Sequence, residues 1–267
     1  MNENCVIDSH RHFWHYTDEE FGWIADDSLR RDFLPKDCSG MDPCIAVEAR
    51  QSIEETHFLL DLARENSFIK GVVGWLPLAS PEFPQILADF SDPKLVAMRH
   101  VVQDEPDDEF ILRKEFIRAV GHLLKEGYAY DILVFERHLA NTMKFVDALP
   151  DDSRLVLDHL GKPKDFNSWR KLMKELAKRE NLKCKLSGLV TEINDISYDA
   201  ARPYLEEAIE AFTPKRLMFG SDWPVVTAHM PYSGWRSTVE KFAIQLTAEE
   251  RESIMHKTAE EFYLARH

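Results

Sequence analysis

The chain has 267 residues, 44% of them hydrophobic, enough to bury one large core. Its 33 basic residues are outnumbered by 47 acidic ones, for a formal net charge of -14, and no lysine and arginine cluster interrupts the acidity. That balance argues against nucleic acid or an anionic membrane as partner, and no apolar run approaches the length of a membrane span.

The four cysteines, Cys5, Cys38, Cys44 and Cys184, form no Cys-x-x-Cys pair. They read as reduced core residues, which suits the cytosol, and no basic-then-apolar leader opens the chain. A cytoplasmic protein is the expectation.

The first predicted strand, roughly residues 5 to 10, runs through Val6-Ile7-Asp8-Ser9-His10-Arg11-His12. Side chains alternate along a strand, so His10 and His12 point one way and Arg11 the other. The stretch from Phe13 to Pro35 is a long aromatic loop, either the wall of a pocket or a packed surface loop. A second strand over 44–49 carries Glu48 near its end, and Ser52-Ile53-Glu54-Glu55 reads as a capping box opening a helix. A third strand, Ile69 to Trp75, precedes a short helix between Pro81 and Phe90. A fourth, Leu95 to His100, ends in Arg99 and His100, with a helix near 111–125.

Four further repeats follow. Strands at 130–134, 154–159, 182–187 and just before Asp222 alternate with helices near 136–148, 167–179 and 198–212. Two closing helices lie near 233–246 and after the capping box Thr247-Ala248-Glu249-Glu250. Eight short apolar strands alternating with helices predict a single (β/α)8 barrel domain spanning 1–267. In such a barrel the first and last strands are neighbours and every strand C-terminus opens on one mouth. Closure would therefore gather His10, His12, His159 and Asp222. Imidazole and carboxylate are suitable ligands for a catalytic zinc, which takes about three protein ligands and keeps one position open.

Several blocks in this order resemble the amidohydrolase-related lactonases, the branch of the amidohydrolase superfamily that contains L-fuconolactonase and L-rhamnonolactonase. They are Ile7-Asp8-Ser9-His10-Arg11-His12-Phe13-Trp14, Leu29-Arg30-Arg31-Asp32-Phe33-Leu34-Pro35 and Gly71-Val72-Val73-Gly74-Trp75, followed by Met98-Arg99-His100. Leu157-Asp158-His159-Leu160-Gly161-Lys162-Pro163, Lys185-Leu186-Ser187-Gly188-Leu189 and Phe219-Gly220-Ser221-Asp222-Trp223-Pro224 continue the series.

The resemblance implies hydrolysis of a sugar-acid lactone in carbohydrate breakdown. It places the family's metal-ligating positions on His10, His12, His159 and Asp222, with one divalent ion, zinc foremost, or none. Arg99 and His100 stand where binuclear members of the superfamily carry a modified lysine, which argues against a second ion. Asp222 is expected to act as general base and acid, and His159 or the metal to stabilise the oxyanion. Glu48, Arg99, His100 and Lys162 are expected to bind the substrate's polar groups, with Trp75 and Trp23 as apolar walls; both tryptophans have a core alternative. Arg99 could instead pair with Glu48. Arg11 and Glu48 depart from the family pattern, in which glutamine is commoner at both positions, and a charge pair between them would compensate.

A metal-dependent decarboxylase, a hydrolase of a non-sugar lactone and a non-catalytic sugar-acid binder are the other readings. Release of carbon dioxide would separate the first from lactone opening. No coiled-coil repeat or other assembly device is legible.

Overall fold

Short, largely buried runs of three to seven residues, apolar except for β1 (Asp8-Ser9-His10-Arg11) and one or two charged or polar positions in others, form eight parallel strands: β1 (Asp8–Arg11), β2 (Cys44–Val47), β3 (Ile69–Gly74), β4 (Leu95–Val101), β5 (Ala129–Leu133), β6 (Leu155–Leu157), β7 (Leu182–Leu186) and β8 (Leu217–Phe219). The computed structural model describes residues 6–193 and 195–265, so the expectation for Cys5 lies outside the described residues. The strands follow one another in a single sheet in chain order. Between and after them lie α1 (Ile53–Glu65), α2 (Phe83–Ala88), α3 (Lys114–Lys125), α4 (Leu139–Asp147), α5 (Phe166–Leu176), α6 (Leu189–Glu192), α7 (Tyr198–Phe212), α8 (Tyr232–Ala243) and α9 (Ala248–Glu252). This is the expected (β/α)8 barrel. No helix among the described residues is long and apolar enough to cross a membrane.

The barrel closes through the residues just beyond β8. Asp222 N donates to His10 O at 2.9 Å and His12 N to Trp223 O at 2.7 Å. Asp8 adds a side-chain clasp, accepting from Ser221 N at 2.7 Å and from its hydroxyl at 2.6 Å. The same carboxylate takes Arg11 Nε at 3.1 Å and Nη2 at 2.9 Å. Arg11 therefore faces away from His10 and His12, as alternation predicts, and its guanidinium carbon lies 5.2 Å from the centre of the Tyr232 ring. The predicted pairing of Arg11 with Glu48 is wrong: Arg11 pairs with Asp8 through Nε and Nη2, and Glu48 pairs with Arg99.

Two cores result. The larger packs the strands against the helices, with Leu59, Phe116, Phe145, Trp169, Leu205 and Trp235 fully or almost fully buried. The smaller joins Ile7, Ile45, Val47, Val73, Val156 and Met218 to Phe262 and Tyr263. Phe262 and Tyr263 come from the wide helical turn Glu260–Leu264 after α9, so this segment plugs the barrel interior. Strict alternation would put Ile7 and His10 on opposite sides; the pairing of β1 with β2 shifts register between Asp8 and Arg11, and both reach the interior.

The aromatic loop is packed. Trp14 and Phe33 exchange backbone hydrogen bonds of 2.9 and 3.0 Å, and both side chains are buried with Phe21. The box at Ser52 is half formed: Ser52 caps Glu55 N, but Glu55 turns to Ala49 N and Arg50. The box at Thr247 is complete. Cys38, Cys44 and Cys184 are buried and unpaired, as expected.

Candidate active site

The register shift in β1 brings two imidazoles into the barrel edge to edge. His10 Nε2 and His12 Nε2 lie 3.2 Å apart. His12 Nδ1 donates to Val47 O at 2.8 Å, which leaves Nε2 of the neutral ring with a free lone pair. Asp222 Oδ1 stands 3.3 Å from His12 Nε2 and 3.8 Å from His10 Nε2. His10, His159 and Asp222 each offer a ligand atom within 4.8 Å of the others, all buried. The four residues chosen from the sequence thus converge, with His12 joining through His10 and Asp222.

The turns that deliver His159 and Asp222 are strained. β6 ends at Leu157, short of the predicted 159, because His159, Leu160, Gly161 and Lys162 all have positive φ, between 51° and 67°. Asp222 also has positive φ, 59°. Non-glycine residues in that region cost on the order of 1 to 3 kcal/mol each and persist only where the surroundings hold them. Leu160 is held by burial and by Trp169 Nε1, which donates to its carbonyl at 2.7 Å.

His159 Nδ1 is bonded to Ser187 Oγ at 2.9 Å, and its ring lies against Gly188. A Cβ on Gly188 would stand 2.6 Å from that ring, at a φ of 62°. Gly188→Ala is therefore expected to cost about 1–3 kcal/mol and displace the imidazole, read by urea unfolding and by the variant's crystal structure. A loss below about 0.5 kcal/mol would show that the contact is slack.

Electrostatics suit lone-pair donors. Burial, with the Lys185 ammonium next, pushes His10 well below the ordinary imidazole range against the pull of Asp158. Burial takes His159 down to about 4, against Asp222 and Asp158. Burial alone would raise the Asp222 carboxyl, but the imidazoles of His159, His12 and His10 reverse this and hold it below the usual carboxylate range.

Beneath the histidines lies a buried charge network that sequence reasoning missed in large part. Lys185 Nζ contacts Asp131 Oδ2 at 2.5 Å, Asp158 Oδ1 at 2.9 Å and His10 Nδ1 at 3.1 Å. Tyr263 donates to Asp131, and Arg99 Nη1 lies 3.0 Å from Asp158 Oδ2 and 3.2 Å from His10 Nε2. Arg99 Nε pairs with Glu48 Oε1 at 2.7 Å, so of the two roles weighed for Arg99 the ion pair is present. Glu48 Oε2 is buried with no hydrogen-bond partner. The available signal was a charge inside a strand covered on both faces, Asp131 in β5 and Lys185 in β7, because an ion placed there needs a partner.

Around the strand ends, Trp75 Nε1 donates to Gln51 Oε1 at 3.1 Å and contacts His100 Nδ1 at 3.3 Å. His100 Nε2 is 2.7 Å from Glu105, and its ring stacks on Phe110. Trp23 donates to Ala49 O at 3.0 Å and remains 48% exposed, so its core alternative does not hold. Lys162 is half-buried, with Nζ 3.9 Å from Glu192 and 5.2 Å from the centre of the Phe135 ring.

The donor set fits a divalent metal. The 3.2 Å separation of His10 Nε2 and His12 Nε2 is that of two ligand atoms on one ion with bonds of about 2.1 Å, and the Asp222 oxygen lies at comparable range.

A parallel eight-stranded barrel with such a His/Asp centre at its strand C-termini defines an α/β-barrel enzyme with a metal-competent site. The model of the amidohydrolase family matches residues 7–264, and the chain belongs to that family. An L-fucono-1,5-lactonase of Burkholderia multivorans is 39% identical to it, over 96% of this chain and 95% of the relative. A second, of Burkholderia ambifaria, is 35% identical, over 88% and 87%. An amidohydrolase from Burkholderia multivorans solved with bound zinc superposes with a TM-score of 0.93 at 39% identity, covering 97% of this chain and 99% of that one.

Proposed function

We propose that this chain opens a sugar-acid lactone of the L-fucono-1,5-lactone type to the free aldonic acid, in carbohydrate breakdown in the cytoplasm. The observation that carries the reading is the Asp222 carboxylate set 3.3 Å from His12 in a group with His10 and His159, in a chain close to two L-fucono-1,5-lactonases. Three buried unpaired cysteines suit a reducing compartment.

His10, His12 and Asp222 would hold one divalent ion, zinc by analogy with the solved relative. Bound there, such an ion supplies Lewis acidity and lowers the pKa of water from ~15.7 towards ~7. Asp222 takes the proton of the attacking water and passes it to the ring oxygen as the ester C–O bond breaks. In the tautomer in which the Ser187 hydroxyl donates to His159 Nδ1, 2.9 Å away, Nε2–H of His159 is free to stabilise the oxyanion, and His159 is then not a metal ligand. The strained turn fixes that ring in advance, so little reorganisation is left for the reaction.

For the hydroxylated part of the substrate, the half-exposed Trp23 and the Trp75–His100 pair offer apolar faces with polar edges, and Lys162 a cation. Glu48 acts through its unpartnered Oε2, whereas Arg99 orients Glu48 and does not reach for the substrate itself.

Acid release from a panel of lactones led by L-fucono-1,5-lactone, with spontaneous opening subtracted, tests the reading. Acceleration is expected, with loss on chelation and recovery on adding zinc. No acceleration across the panel would overturn the lactonase assignment, and activity that survives metal removal would overturn the metal's part in it.

A further inference from the structure

We propose that Glu192 is a specificity-determining residue: by masking the Lys162 ammonium it confines the site to uncharged lactones and lets the carboxylate product leave. The proposal rests on the lactonase reading, under which a neutral ester enters and an aldonate anion forms at the carbonyl carbon beside His159.

Lys162 and Glu192 come from the turn that carries that imidazole and the turn packed against it. Lys162 closes the left-handed run, its backbone N–H donating to His159 O at 2.8 Å. Glu192 ends α6, which starts directly after Ser187 and Gly188, the two residues against the His159 ring. Lys162 Nζ stands 3.9 Å from Glu192 Oε1, and both side chains are half-buried. The ammonium acts on this part of the site. Burial is the main cause that brings the His159 imidazole down to about 4, and Lys162, then Arg99, push it the same way. Arg99 is itself masked, by Glu48 at 2.7 Å and Asp158 at 3.0 Å. Neither cation is left to receive a carboxylate.

A bare ammonium in a partly desolvated mouth attracts carboxylates over hydroxyls, so it would hold the newly formed product as readily as an anionic substrate. With the Glu192 carboxylate 3.9 Å away the pair is neutral, and an arriving anion meets attraction and repulsion together. Lys162 can still donate to a hydroxyl, so the pair keeps its use for the neutral groups of a sugar. Discrimination then falls on the charge of the ligand.

The test compares L-fuconate with L-fucitol, the uncharged alditol of the same stereochemistry, binding to wild type and to Glu192→Gln by calorimetry at equal zinc content. Glutamine keeps the shape and removes the charge. The variant is expected to bind L-fuconate about 10-fold more tightly than wild type, with L-fucitol unchanged, and the gain should shrink as salt is raised. In steady state it should show product inhibition by L-fuconate at about tenfold lower concentration, with kcat/KM for the neutral lactone within about threefold of wild type. Adding Lys162→Met to Glu192→Gln should abolish the gain.

Equal affinity of wild type and variant for L-fuconate, binding to neither, or a tightening that L-fucitol shares would overturn the proposal. A gain that survives Lys162→Met would overturn Lys162 as the masked cation. If Glu192→Gln does not fold, Glu192→Asp, which withdraws the carboxylate by one methylene, should give part of the gain, and no gain there would overturn the proposal equally. A wild-type protein that opens no lactone would strike the lactonase reading, whereas the calorimetric comparison decides the masking without turnover.

Discussion

Asp222→Asn is expected to lower turnover of a sugar-acid lactone by about 10²- to 10⁴-fold while leaving the protein folded. Asparagine has the same shape and tolerates the positive φ of 59° at this position, so the turn after β8 survives. The loss is chemical. The amide cannot take the proton of water, and it removes the one carboxylate set 3.3 Å from His12 and 3.8 Å from His10. The measurement is kcat, with zinc content determined on the same samples. A variant that keeps its metal and loses turnover assigns Asp222 to proton transfer. Turnover within tenfold of wild type would place the base elsewhere in the site.

Asp8→Ala is expected to cost about 3–5 kcal/mol in unfolding free energy, the effect of removing one partner of a buried ion pair. Asp8 and Arg11 are both fully buried, and Asp8 also accepts from Ser221 N, the Ser221 hydroxyl and His10 N. Its loss strands the guanidinium and unfastens β1 from the turn that carries Asp222. Asp8→Asn, which keeps part of the hydrogen bonding, should cost less. Urea unfolding at constant m-value reads both. A cost below about 1 kcal/mol for the alanine variant would show that the backbone bonds between His10, Asp222, His12 and Trp223 close the barrel unaided.

The two predictions concern neighbouring residues on opposite faces of one closure. The inner face gathers His10, His12 and Asp222 for chemistry, and the outer face locks Asp8, Arg11 and Ser221 for stability. Catalytic geometry here is thus inseparable from the joining of the first strand to the residues after the last.

By itself the sequence determined the barrel, because eight apolar runs and intervening helices have a period and spacing that only parallel βα units satisfy. It also determined the four residues that converge, since alternation pairs His10 with His12 and strand C-termini share one mouth. Tertiary structure alone decided which charges meet. Arg11 finds Asp8, three residues away, whereas Glu48 finds Arg99, 51 residues on. An ion's partner depends on strand stagger and on which side of the sheet each group emerges, and neither is written in local pattern. The left-handed run from His159 to Lys162 contains a single glycine, so its backbone is imposed by packing around Leu160 and Gly188 rather than chosen by propensity. The placing of Phe262 and Tyr263 inside the barrel was equally out of reach. Apolar residues on a helical segment announce that a face will be buried, but the cavity that buries it exists only once the strands have closed.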